Sequence, residues 1–126
     1  MGTIKSFEDY EIWKTAREIT RQVYCLTRGK AFSKDYALRN QICSASISIM
    51  SNIAEGHESQ TGNTFIRHLG IAKGSVGEVR SQLYAALDQK YINEAEFKSV
   101  AELSKKASSQ IAGLMRYLKC RRPPKS

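Results

Sequence analysis

Little in this chain cross-links it or anchors it. Its three cysteines, Cys25, Cys43 and Cys120, are odd in number, far apart and without CxxC or Cys/His spacing. That pattern argues against a disulfide framework and reads as incidental reduced thiols. No apolar run approaches the ~20 residues that a membrane span needs. The first residues, MGTIKSFEDYEIW, lack a basic region, an apolar stretch and a small-residue cleavage site, so a cytoplasmic location is expected and no membrane partner. The two prolines are adjacent, Pro123 and Pro124, in a closing RRPPKS that cannot continue a helix and is expected to form a basic flexible tail over 121–126. Acidic residues are also scarce: 12 stand against 20 lysines and arginines, a net charge of +8. Such an excess favours RNA, DNA or an acidic protein surface as partner.

What remains is ordinary globular composition, 41% hydrophobic and 25% charged in 126 residues, enough for a single domain over 1–120. Four stretches carry helical periodicity. The first is expected over about 7–28, opened by a Ser6/Asp9 capping box and ended before Gly29, with Ile12, Ala16, Ile19, Val23 and Leu26 on its packing face. Ser33 is expected to cap the second, about 34–55, whose Leu38, Ile42, Ala45, Ile49 and Asn52 form one seam while Ile47, Met50, Ile53 and Ala54 occupy other faces. The third, about 63–89, has the cleanest heptad: Phe65, Leu69, Ala72, Val76, Val79, Leu83 and Ala86. Asn93 and Glu96 open the fourth, about 94–120, with Phe97, Val100, Leu103, Ala107, Ile111, Leu114 and Leu118 inward. Short connections make consecutive helices reverse, so the expectation is all-α: an antiparallel up-down-up-down four-helix bundle.

Several residue groups carry candidate chemistry. Asn52 and Glu55 lie one turn apart, and Glu55 falls near an expected helix C-terminus, where its charge opposes the macrodipole. Glu55 is expected to accept hydrogen bonds from a loop backbone or to pair with a base such as Arg39 or Arg67, in the same subunit or a neighbour, in a structural or inter-subunit role, with Gly56 as a left-handed C-cap. Gly70, Gly74 and Gly77 fall inside the third helix, where they weaken helix propensity and suit close packing within or between subunits. Di-iron bundles need paired Glu-x-x-His motifs, which are absent, and no Gly-x-Ser-x-Gly elbow or Cys/His pair activates a nucleophile, so neither a metal, a cofactor nor catalysis is expected. Two basic groups stand out. Lys14, Arg17, Arg21 and Arg28 recur on one face of the first helix, balanced in part by Glu11 and Glu18; Arg116, Lys119, Arg121, Arg122 and Lys125 close the chain with no acidic residue among them.

The stretch Leu38–Gly56, LRNQICSASISIMSNIAEG, resembles the signature of the 23S ribosomal RNA intervening-sequence protein family. The resemblance extends to the lead Phe7-Glu8-Asp9 with Trp13, Ala16 and Tyr24, to Ser51–Gly56, and to Phe65, Leu69, Ala72, Gly74, Ser75, Glu78 and Gln82, covering about 4–118. It implies a four-helix bundle assembling into a ring-like homopentamer without cofactor. A diverged relative is the accessory protein of diversity-generating retroelements, which partners a reverse transcriptase and binds nucleic acid. Cys43 and Ser44 replace residues commonly basic in the family, and the loop HESQTGN also lacks basic character, which weakens nucleic-acid binding near that signature. The function expected is a non-catalytic homo-oligomer that binds or organises RNA or DNA through basic surfaces, with a protein scaffold free of nucleic acid as the alternative.

Overall fold

A computed structural model describes residues 3–121. Four α-helices make the fold: α1 (Glu11–Thr27), α2 (Tyr36–Glu58), α3 (Gly62–Asp88) and α4 (Glu94–Cys120), with no strand among the described residues. Their pairing follows from the residues that meet. Tyr10 meets His57, Thr20 meets Ser46 and Thr27 meets Cys43, so numbers rise along α1 as they fall along α2. The same opposition holds between α2 and α3 (Asn52 with His68, Gln41 with Gln82), and between α1 and α4, where Ser99 donates to Gln22 and Tyr117 lies near Tyr10. Tyr84 packs on Phe97 where α3 turns into α4. The helices therefore alternate in direction, and the neighbouring pairs are α1–α2, α2–α3, α3–α4 and α4–α1.

One core joins all four. The α3 heptad is buried at every position from Phe65 to Ala86, and α1 contributes Ile12, Ala16, Ile19 and Val23. α4 adds Val100, Ala107 and Ile111, while Phe97, Leu103, Leu114 and Leu118 pack at its margin. Near one end Phe32 is fully buried and stacks on Tyr91, ring centroids 5.2 Å apart, tying the α1–α2 connection to the α3–α4 connection.

Boundaries differ from expectation where a side chain has a better use than prolonging a helix. Asp9 accepts from the backbone N–H groups of Lys5 and Ser6, at 2.8 and 3.1 Å, but the turn so formed is a 3-10 helix, Phe7–Asp9. Tyr10 is then extended, and this break directs its ring against His57 and Phe65 before α1 begins at Glu11. Ser33 does not cap α2. It lies in a second 3-10 turn, Phe32–Lys34, while Asp35 accepts from the Leu38 N–H at 3.1 Å and from the Tyr91 hydroxyl at 2.9 Å. An aspartate at the N-terminus complements the macrodipole as well as supplying the capping oxygen. Asn93 and Glu96 form the expected reciprocal box, at 2.8 and 2.9 Å.

Gly56 is not a left-handed cap. α2 runs on to Glu58, no described glycine has positive φ, and the left-handed positions are Gln60 (φ 65°) and Lys90 (φ 61°). Gly56 is instead a point of close approach: a Cβ there would lie 2.7 Å from Phe65 Cδ1 and 2.9 Å from His68 Cβ. Gly74 and Gly77 are the reverse, exposed on α3 with nothing beyond their own turn of helix within 4 Å of where a Cβ would stand.

These two environments give opposite signs to the same substitution. Gly56→Ala is expected to destabilise the bundle by about 1–3 kcal/mol through overpacking, outweighing its gain in helix propensity. Gly77→Ala is expected to stabilise it by up to about 1 kcal/mol, since only the propensity changes. Urea unfolding of both variants measures the two signs.

Candidate nucleic-acid interface

The basic stripe of α1 follows from helix geometry, because residues three and four apart share a face. Lys14, Arg17, Glu18 and Arg21 line one shallow depression along the helix. Much of its charge is already answered. Lys14 pairs with Glu11 at 3.4 Å, and Arg21 grips Glu18 through Nε at 2.9 Å and through a second, shorter bond from Nη2. These Arg21 bonds, with a further one from Gln22, hold the Glu18 carboxyl at about 2. Arg17 has no carboxylate partner among the described residues and lies over the Trp13 ring, 5.8 Å from its centroid.

The second group gathers where α4 ends. Arg121 is the C-cap of α4, its N–H donating to the Tyr117 and Leu118 carbonyls and its guanidinium lying 5.3 Å from the Tyr117 ring centroid. It belongs to the helix end and not to a free tail. Arg122 and Lys125 lie outside the described residues. Arg116 and Lys119 are exposed with no ion-pair partner among the described residues, as are Lys105 and Lys106, two α4 residues that stand outside both basic groups of the sequence.

Antiparallel packing brings the start of α1 beside the end of α4. Tyr117 lies close enough to Tyr10 to raise its phenol pKa, an effect second to burial. Lys14 and Arg17 thus share an end of the bundle with Arg116, Lys119 and Arg121. Arg28 does not: fourteen residues beyond Lys14, it stands about 20 Å away along the α1 axis. The described cations of the two basic groups therefore do not form one patch.

Within this chain Glu55 pairs with neither Arg39 nor Arg67. Asn52 donates to the Ser48 carbonyl at 2.9 Å and the Ser48 hydroxyl at 3.1 Å, and its Oδ1 meets His68 Nδ1 at 2.9 Å. Glu55, exposed, stands 3.8 Å from the same imidazole nitrogen. Ser75 donates to the Ser48 hydroxyl at 2.9 Å, and Gln82 to Gln41 at 3.3 Å. His68, Ser75 and Gln82 are seven residues apart, a polar heptad beside the apolar one, and that spacing was available in the sequence. Gly70 and Gly74 are exposed on α3; a Cβ at Gly70 would make ordinary contact with Met115 Cε of α4 at 3.9 Å, and one at Gly74 would meet no other helix of this chain.

Among the described residues no three His, Cys, Asp or Glu side chains are grouped to hold a metal ion. Cys25 and Cys120 are exposed and Cys43 half-buried, all as free thiols. No described helix is long and apolar enough to cross a membrane.

Compared with known proteins, residues 8–113 match the family model described as 23S rRNA-intervening sequence protein. A crystal structure of a protein with unknown function from the S23 ribosomal protein family of Bacteroides thetaiotaomicron VPI-5482 superposes with a TM-score of 0.76, covering 83% of this chain and 95% of that one at 22% identity. At that identity the likeness shows the fold alone. No curated protein matches the chain.

The Glu18–Arg21 pair has a signed pH signature. A carboxyl held below its ordinary value contributes stability at pH above about 4.5, and that contribution is lost as pH falls toward about 2. In a carboxyl-detected NMR titration Glu18 is expected to titrate near 2, and Arg21→Ala to return it to the ordinary carboxylate range.

Proposed function

The chain belongs to the 23S rRNA-intervening sequence protein family, and from that footing we infer that it is a non-catalytic, self-assembling bundle that binds RNA or DNA through its basic surfaces. The observation that carries this reading is the distribution of unanswered charge. Arg17, Lys105, Lys106, Arg116 and Lys119 lie on α1 or α4 without a carboxylate partner among the described residues, and Arg67, Lys73 and Arg80 on α3 likewise have none. Solvent-exposed cations of this kind contact phosphates through charge and position a strand without reading its sequence. An accessory role beside a nucleic-acid enzyme such as a reverse transcriptase fits a surface that binds without chemistry of its own.

Assembly into the homopentamer that the resemblance implies is supported by the opposite side of the molecule. Ile71, between Gly70 and Gly74 on α3, is 49% exposed, and Ile47 on α2 is 43% exposed. Exposed apolar side chains beside glycines let a second copy approach closely. Repeating the basic surface around a ring would also raise avidity without any new contact.

Affinity for structured RNA and duplex DNA, measured across a salt series, tests the binding. It is expected to fall linearly on logarithmic axes, and removing Arg116 and Lys119 together should weaken both ligands alike and reduce the slope by about 1 for each phosphate no longer neutralised. Undetectable binding at low salt would overturn the reading. For assembly, Gly74→Arg is expected to lower the mass seen by light scattering while leaving helix content intact, because the position is open within the chain. An unchanged oligomer places the interface elsewhere.

A further inference from the structure

At the end of the bundle away from the α4 terminus, a cleft between α1 and α2 is lined by Tyr24, Arg28, Ser33, Arg39 and Asn40. Thr27 and Cys43 also line it and meet across the two helices, hydroxyl to thiol at 3.6 Å. The informative side chain is Arg39. It is half-buried and fixed by neutral groups: Nη1 donates to the Ser33 carbonyl at 3.0 Å, Nε and Nη2 reach Asn40 Oδ1 at 3.3 and 3.4 Å, and the guanidinium lies 4.9 Å from the Tyr36 ring centroid.

None of these contacts cancels its charge. Asp35, one turn earlier, commits its carboxylate to the Leu38 N–H and the Tyr91 hydroxyl. Neither Arg39 nor Arg28 has a carboxylate within ion-pair distance among the described residues. Folding explains Arg28, since a cation at the C-cap of α1 is favoured by the macrodipole. It does not explain Arg39, which stands in the first turn of α2, the end that favours anions. A partly desolvated cation at a helix N-terminus, held in place yet left without a counter-charge, is an arrangement that a bound oxyanion relieves.

We propose that this cleft is a phosphate-binding site that takes a phosphodiester of a nucleic-acid strand between the guanidiniums of Arg28 and Arg39. An arginine has five N–H groups, and the three bonds from Arg39 to Ser33 and Asn40 leave N–H groups for a forked pair of bonds to phosphate oxygens. Tyr24, 37% exposed on the α1 wall, offers a ring face on which an adjoining base stacks. The source of the phosphate rests on the nucleic-acid reading above; the site's chemistry does not.

The test follows the Arg39 Nε–Hε resonance of the full chain by NMR, with inorganic phosphate and a short single-stranded oligonucleotide as separate probes. The oligonucleotide is expected to shift Arg39 and the Tyr24 ring. Arg28→Gln and Arg39→Lys should each weaken its binding on the order of tenfold, as removal of a charge-assisted hydrogen bond does. Thermal unfolding confirms that each variant is folded, and Arg28→Gln, at an exposed site, carries the test if Arg39→Lys is not. Oligonucleotide binding with Arg39 and Tyr24 unmoved overturns the cleft and leaves the wider nucleic-acid reading standing. Phosphate saturating the cleft while the oligonucleotide does not would make it a site for a free phosphate compound, overturning the assignment to a strand. Silence of both probes overturns the site outright.

Discussion

The contact between α2 and α3 is the constraint on which the rest of the structure depends. Gly56 has no side chain because the Phe65 ring and the His68 Cβ occupy the space, so the two helices touch close to the turn that joins them. From that fixed point the rungs Asn52–His68, Ser48–Ser75 and Gln41–Gln82 run up the seam. The part-buried pairs Asn52–His68 and Ser48–Ser75 satisfy groups that would otherwise be desolvated alone, so sliding one helix past the other by a turn leaves them unmatched. Apolar packing tolerates such a slip far better than hydrogen-bonded pairs do. The seam therefore sets the register against which α1 and α4 pack.

Periodicity made most of this fold legible. The α3 heptad and the α4 box appear where spacing places them, because long amphipathic helices bury one face whatever their neighbours do. Local signals failed where a distant partner overrode them. Ser33 is a competent cap, but Asp35 can cap α2 and hold Tyr91 at once. Gly56 resembled a terminator, yet its role is set by Phe65, nine residues on and across a reversal of the chain. His68 carried no sign of its partnership with Asn52 except a seven-residue relation to two other polar positions. Single residues at chain reversals were thus the least readable, since their conformation answers to contacts from elsewhere.

The same limit applies to charge. A stripe of cations on α1 was visible, but only the structure shows that Glu11 and Glu18 occupy two of them and leave Arg17 over Trp13. Conversely Arg39, which the sequence suggests as a partner for Glu55, is the cation whose placement folding explains least. Counting basic residues measures the field of the molecule, whereas finding which of them lack a partner locates where an anion would rest.

The order of the helices around the bundle bears on how it forms and opens. Three seams join helices adjacent in sequence, so their contacts close short loops quickly and at little entropic expense. The fourth, α4 against α1, brings together the two ends of the chain, and its named polar bond, Ser99 to Gln22, is exposed. Closing that seam spans the longest stretch of chain, so it carries the largest loop-closure cost of the four. Arg17, Lys105, Lys106, Arg116 and Lys119 stand on those two helices, so the pairing of the chain's two ends is also what gathers these unpaired cations beside one another.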